Sequence, residues 1–421
     1  MKKITFFVRI LNDFDHILPI IDFFKEKGDL VEVYGVGEGY KGCLNHISYL
    51  KKTLDIDIKS FEDESFSNLS KRLISLSRRN FKTADKGKLL SFLMAQLNNI
   101  LNFALLIKPG IEVHKFLKNG HKESIYVADF GTEAIFPYRD LIKYSHRMNR
   151  RIYAIMHGYN IFTNLDPVEI NEPSFFGRLI KSFENLFNRK NNVQIYDKYL
   201  VGMHQRNTYF RSNMYKSFEE KNLNKVFDIG IPRYTYEWNK KFILPSLANN
   251  KPLGNCNKIK VVLFLSNAKF RVKIDLLNKM IESLKSIDSI NLLIKPHPRS
   301  GASGLLEQCK TNIVNNDSNS LIDYSDICIS YGSSIAFQTL IAGKTLVVPN
   351  FVDSNKNIFS ENNIGFNANS LEDLLQFVTK YKKENKKINS KKQLDDFILE
   401  YIYGGNISYN SLMNCFYSQI L

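Results

Sequence analysis

Asp326-Ile327-Cys328-Ile329-Ser330-Tyr331-Gly332-Ser333-Ser334, followed by Ile335 to Ala342 and then Gly343, reads as strand, turn and helix in that order. An apolar run ends at a Gly-Ser-Ser turn, Ser333 or Ser334 is predicted to cap the helix, and Gly343 suits its C-terminal stop. The exposed N–H groups and positive dipole end of such a helix attract phosphate. Ordinary capping serines would leave the same pattern. Some 35 residues upstream, Asn291-Leu292-Leu293-Ile294-Lys295-Pro296-His297-Pro298-Arg299 is a second strand that stops at a bracketed histidine. Each proline fixes its own φ and pushes its predecessor away from helix, so His297 is predicted to be extended at a strand's carboxyl end. Ligands bind at that edge of an open parallel sheet. Lys295, His297 and Arg299 would then offer three cations to a phosphate, or else face water from a rigid turn.

Working outward, short apolar runs alternate with helical stretches through the whole chain. Ile4–Ile10, Leu30–Val36, Ser124–Ala128, Arg151–Met156, Lys198–Val201 and Val226–Ile229 read as strands, as do Lys260–Leu265, Asn291–Ile294, Ile327–Ser330 and Thr345–Val348. They lack strict alternation, as expected of strands covered on both faces. The predicted fold class is α/β with parallel sheets. Turn formers from Tyr234 to Cys256, including Pro245, Asn249, Asn250, Pro252 and Gly254, indicate a linker before a second series of elements.

The 421 residues suit two large lobes. Hydrophobic residues at 44% and charged residues at 24% are the balance of a folded globular chain. A net charge of +16 favours anionic partners. Five scattered cysteines without a C-x-x-C pair argue against a disulfide framework or cysteine zinc site and favour a reducing cytosol. The opening run is broken by Arg9, Asn12, Asp13 and Asp15, so it reads as a buried strand and not as a signal peptide. Leu89–Ile107 is uncharged but carries Gln96, Asn98, Asn99 and Asn102, which fits a buried or interfacial helix better than a span. Lys71–Lys88 holds seven Lys/Arg and one Asp, and Lys380–Lys392 seven Lys and one Glu. Each reads as a solvated face, although the first, beside an apolar helix, also suits an anionic membrane surface. Nothing resembles a nucleic-acid-binding motif, and no nucleic-acid partner is expected.

Lys295-Pro296-His297-Pro298-Arg299, Asp323-Tyr324-Ser325-Asp326 and Ser333-Ser334 together resemble the "HP" and "SS" motifs of bacterial GT-B glycosyltransferases. These include CDP-glycerol glycerophosphotransferases of teichoic acid synthesis and capsule sialyl- and Kdo-type transferases. Ala154-Ile155-Met156-His157-Gly158 and Gly230-Ile231-Pro232-Arg233 resemble further segments of the CDP-glycerol branch. The likeness covers roughly residues 150 to 370. It departs at Tyr159-Asn160, where the family has Thr-Pro, and near Gln338, where it has an acid. The resemblance implies two Rossmann-like lobes facing across a crevice. Residues 1–240, with a helical insertion at about 60–120, would form the acceptor side, and 257–400 the nucleotide-donor side. A helix within 401–421 would return to the first lobe.

His157, as a neutral imidazole, is then the expected base for an acceptor hydroxyl. His297, Lys295 and Arg299, with Gly332, Ser333, Ser334 and Arg233, would hold the nucleotide phosphate and stabilise its departure. Asp129 and Glu133 form a carboxylate pair that could serve as base or hold the acceptor, while capping by Asp129 or Thr132 explains the same pattern. No metal site and no bound cofactor are expected, because the histidines lack i, i+4 pairing and no D-x-D flanked by strands suggests a metal-dependent GT-A enzyme. The implied activity is metal-independent transfer of a sugar or polyol-phosphate from a CMP- or CDP-activated donor to a capsule, lipopolysaccharide or teichoic acid glycan. The expected place is the cytoplasm, with peripheral inner-membrane contact through 71–107. The alternatives are a UDP-N-acetylglucosamine 2-epimerase-like enzyme and a non-enzymatic membrane-docked scaffold.

Overall fold

The computed structural model describes residues 2–80, 88–164, 194–211, 220–247, 254, 257–266, 272–297, 301–302, 304–381 and 388–421, with side chains at 78–80 and 88–103 outside the description. Among the described residues, twelve strands form two sheets. The first seven are β1 (Lys3–Val8), β2 (Leu30–Gly35), β3 (Ile58–Ser60), β4 (Ile125–Asp129), β5 (Ile152–Ile155), β6 (Lys198–Val201) and β7 (Val226–Asp228). The other five are β8 (Ile259–Phe264), β9 (Ile290–Lys295), β10 (Ile327–Ser330), β11 (Thr345–Pro349) and β12 (Phe366–Ala368). Their orders are β3-β2-β1-β4-β5-β6-β7 and β12-β11-β10-β8-β9. The registers from β1 to β6, and throughout the second sheet, are parallel.

Each of the ten strands expected from apolar runs is present, and the class is α/β as predicted. Two further strands lie outside those runs. Ile58-Lys59-Ser60 and Phe366-Asn367-Ala368 are three residues long, sit at sheet edges and are only partly buried, so no apolar run marks them. The central strands show the opposite pattern: β4, β5, β10 and β11 are buried along their whole length. A helix on each face of a parallel sheet removes both sides of the strand from water.

The described part of the stretch read as a linker is helical as far as Leu247, and 248–253 and 255–256 fall outside the described residues. Short helical turns run from Pro232 to Leu247, and Trp238, Phe242 and Ile243 are buried there. Trp238 and Phe242 stack at 5.3 Å, so apolar packing holds this part as helix. The basic stretch 71–88 lies partly in the helix Asn68–Asn80, and 81–87 fall outside the described residues. The apolar stretch Leu89–Ile107 belongs to the helix Lys88–Asn119. Among the described residues no helix is long and apolar enough to cross a membrane.

Two compact units emerge. One comprises Met1–His157, Asn191–Leu200 and Cys415–Leu421, the other Gly158–Lys190 and Val201–Asn414. In the first unit, Tyr417 packs its ring 4.9 Å from Phe24, and Lys198 Nζ donates to the Gln419 carbonyl at 2.8 Å. In the second, a continuous core covers one face of the five-stranded sheet, from Val261 and Leu263 through Ile294 and Ile329 to Val347.

Candidate active site

In the first sheet β1, β4 and β5 are neighbours, with Ile4 opposite Ile125 and Asp129 opposite Ile155. Arg9 follows the carboxyl end of β1, Asp129 ends β4, and His157 stands just beyond β5. Parallel strands therefore deliver three polar side chains to one edge, where open α/β sheets bind ligands. A fourth comes from the helix Leu11–Glu26. Its Asp13 accepts the N–H groups of Arg9 at 3.0 Å and Ile10 at 3.2 Å through Oδ2, anchoring the helix start to the strand end.

That anchoring leaves Asp13 Oδ1 facing the histidine. His157 Nδ1 lies 2.9 Å from Asp13 Oδ1 and 3.1 Å from Asp129 Oδ2. Arg9 Nη2 is 3.1 Å from the same Asp129 oxygen, and Arg9 Nε is 3.6 Å from Asp13 Oδ2. Both carboxylates are fully buried. Burial alone would lower the His157 pKa, but the bonds to Asp129 and Asp13 outweigh it and raise the imidazole to about 9. Burial pushes the Asp129 carboxyl above its usual range, with His157 and Arg9 opposing. The neutral imidazole expected from the sequence is therefore disfavoured here relative to the protonated form.

Asp13, Asp129 and His157 bring ligand atoms within 4.8 Å of one another, a spacing that a metal ion could use and that linear sequence did not show. Arg9 Nη2 lies 3.1 Å from Asp129 Oδ2, so a cation there would share that oxygen with the guanidinium.

Glu133 does not join Asp129. It is buried and accepts from Tyr199 Oη at 2.9 Å. Thr132 Oγ1 pairs with Tyr196 Oη at 2.7 Å and donates to the Asp129 carbonyl at 2.8 Å. Asp129 directs its oxygen to Arg9 and His157 and not to a helix cap; the next helix starts only at Tyr138. Arg9 and Asp13 are site residues that sequence reasoning missed. Their signal was present, as charges interrupting an apolar run at a strand's carboxyl end.

The second unit gathers the other segments. His297 exchanges backbone hydrogen bonds with Gly301, giving the extended geometry that its prolines predict. Lys295 Nζ donates to the carbonyls of Asn316 at 2.7 Å and Asn315 at 3.4 Å, and burial lowers its pKa. Arg299 lies outside the described residues. Gly332 has φ +63, and a Cβ there would sit 2.4 Å from Ser266 Oγ, so both conformation and space require glycine.

Of the two serines expected to cap the helix, Ser333 is the one whose hydroxyl meets a helical N–H. Ser334 stands at the N-cap of the seven-residue helix Ile335–Ile341 but makes no side-chain cap. Its Oγ instead accepts from Tyr234 Oη at 3.2 Å, since its own backbone is helical and turns the hydroxyl away from the helix N–H groups. Ser333 Oγ receives the Ile335 N–H at 3.4 Å. Tyr234 links two motifs: the Arg233 guanidinium lies 4.7 Å from its ring centroid, and its ring is 5.4 Å from Phe337. The Gly-Ile-Pro-Arg segment and the Ser-Ser turn therefore meet. Gln338, at the point of departure from the family, donates to Asn239 Oδ1 at 2.7 Å in a buried pair.

No protein-family model matches the chain, and no curated protein does. Solved structures do. UDP-GlcNAc 2-epimerase from Methanocaldococcus jannaschii aligns over 99% of each chain with a TM-score of 0.51 and 10% identity. HepE from Anabaena, in complex with UDP and glucose, aligns over 100% of this chain and 99% of its own, with a TM-score of 0.51 and 12% identity. The wall teichoic acid polymerase TagF covers 100% of this chain and 89% of its own, with a TM-score of 0.50 and 12% identity. Such likeness establishes the GT-B fold, shared here by epimerases and glycosyltransferases alike.

Proposed function

We propose that this chain is a metal-independent transferase of the GT-B fold. It moves a sugar or polyol-phosphate from a CMP- or CDP-activated donor to a surface polysaccharide, acting in the cytoplasm with peripheral membrane contact. The observation that carries the reading is His157 seated on Asp129 and Asp13. Carboxylates at Nδ1 orient an imidazole and strengthen it as a base, the arrangement that activates hydroxyl nucleophiles. With a pKa of about 9, His157 must first release its proton to act, so acceptor deprotonation favours alkaline conditions. The phosphate side comprises Gly332, Ser333, Ser334, Arg233 and His297, with Lys295 bracing the strand end and Arg299 extending the basic run. Base and phosphate residues fall in separate compact units, which makes proton transfer and nucleotide binding separable by mutation.

A thermal-shift panel of CMP, CDP, UDP and GDP tests the reading. A ligand at 100 Kd adds about 2.7 kcal/mol of stability. Stabilisation by the cytidine nucleotides above the others supports it, and none by any nucleotide removes it.

A second reading, a UDP-N-acetylglucosamine 2-epimerase-like enzyme, is favoured by one observation. Such chemistry needs acids in both units, and the tertiary structure adds buried Asp13 to Asp129 in one and buried Asp353 in the other. Formation of the manno epimer from UDP-N-acetylglucosamine decides between them.

A further inference from the structure

The loop after β11 carries a buried carboxylate, Asp353, to which the transferase reading gives no role. Asp353 is 6% exposed and pairs with Val272 in an isolated antiparallel bridge. Its Oδ1 accepts the Asn355 N–H at 2.9 Å and Asn355 Nδ2 at 3.0 Å. Asn355 Oδ1 in turn accepts Asn164 Nδ2 at 3.0 Å. The segment before Asn164 is fastened to the same loop, with Thr163 N donating to the Lys356 carbonyl at 3.1 Å and Phe162 bridging Asn357.

Among the described residues, three buried atoms of this assembly make no hydrogen bond: Asp353 Oδ2, Asn164 Oδ1 and Thr163 Oγ1. Buried polar atoms are nearly always satisfied by protein, water or ligand, so a linked group of unsatisfied ones marks a place for donors that the protein itself does not supply. Burial pushes the Asp353 carboxyl up to about 6, as expected of an acid short of donors. Two of the three atoms can only accept, and the third is a hydroxyl. A phosphate would be repelled by the carboxylate. A group rich in O–H donors would satisfy all three. Asp353 follows β11, which ends at Pro349, and Tyr331 follows β10, so both lie beyond the carboxyl ends of neighbouring parallel strands.

We propose that Asp353, Asn164 and Thr163 form a subsite for the hydroxyl groups of the donor's sugar or polyol, distinct from the phosphate-binding turn. The inference rests on the nucleotide-donor reading and adds which residues select the transferred group. Asn164 and Asn355 hold the carboxylate in place, and Asp353 Oδ2 accepts a hydrogen bond from a ligand hydroxyl.

The test compares affinities of the full chain for CDP-glycerol against CDP, and for UDP-N-acetylglucosamine against UDP. Wild type should bind one donor more tightly than its bare nucleotide by about tenfold, the scale of one hydrogen bond to a charged group. Asp353→Asn keeps the shape and should abolish that preference while binding the bare nucleotide normally. Thr163→Val, which leaves the Asp353 contacts intact, should reduce it and serves where Asp353→Asn does not fold. Normal nucleotide binding with the donor preference retained in both variants, or absent from wild type, overturns the subsite. Failure of wild type to bind any nucleotide overturns the donor reading, and the subsite with it.

Discussion

His157 Nδ1 lies 2.9 Å from Asp13 Oδ1, although the two residues come from opposite ends of the first compact unit's long segment. The same Asp13 holds the start of the first helix through its other oxygen. One side chain thus couples local helix geometry to the state of the candidate base, and the consequences are measurable.

Activity should rise with pH. If the deprotonated imidazole is the active form, kcat/KM climbs toward a limb near pH 9, well above the ordinary histidine value of 6.5. Asp13→Asn and Asp129→Asn should each move that limb downward by removing an anion that favours the cation. A limb near 6.5 in all three proteins would mean that the carboxylates do not control His157. His157→Ala should cut turnover by 10²–10⁴ and leave nucleotide affinity nearly unchanged.

Stability should run the other way. The folded pKa of His157 exceeds the unfolded value, so its ion pairs contribute fully below about pH 6.5 and are lost as pH rises through 9. A tenfold gain in proton affinity on folding is worth about 1.4 kcal/mol, which sets a few kcal/mol as the ceiling. Thermal melts of wild type and His157→Asn between pH 6 and pH 10 would show the wild-type advantage shrinking. A constant difference would place the histidine outside the linkage.

Ser333→Ala with Ser334→Ala should weaken CMP or CDP binding by a few kcal/mol, since each removes a bond worth roughly 1.5–3 kcal/mol to a charged group. Because Ser334 also receives Tyr234 Oη, Tyr234→Phe is the control. Equal affinity in the double variant, measured by calorimetry, would take the phosphate away from this turn.

Gly332→Ala should be damaging for two separable reasons. The positive φ costs about 1–2 kcal/mol, and the new Cβ would lie 2.4 Å from Ser266 Oγ. Adding Ser266→Ala relieves the clash alone, so melting temperature should recover in part. Full recovery would show that the backbone tolerates alanine there; no recovery would show that the clash is relieved by other shifts.

Vesicle pelleting tests the membrane contact. Binding to anionic vesicles at low salt, released at high salt, is expected if residues 71–107 meet the surface, because exposed charges are screened beyond a Debye length of ~10 Å at 0.1 M. Pelleting indifferent to lipid charge would leave the basic stretch a solvated face.

Sequence alone determined the α/β class, ten of the twelve described strands and the strand-end motifs around His157, His297 and Ser333, because these depend on local apolar runs and on proline and glycine punctuation. It did not disclose that Asp13, not Glu133, shares His157 with Asp129, nor that Lys295 commits its ammonium to the Asn315 and Asn316 carbonyls. Nor did it show that the residues around Trp238 pack as helix. Those outcomes depend on which strands become neighbours. Tertiary structure decided them, because the order β1-β4-β5 brings Arg9, Asp129 and His157 to one buried edge, where charges must find partners within a few ångströms and local spacing along the chain no longer matters.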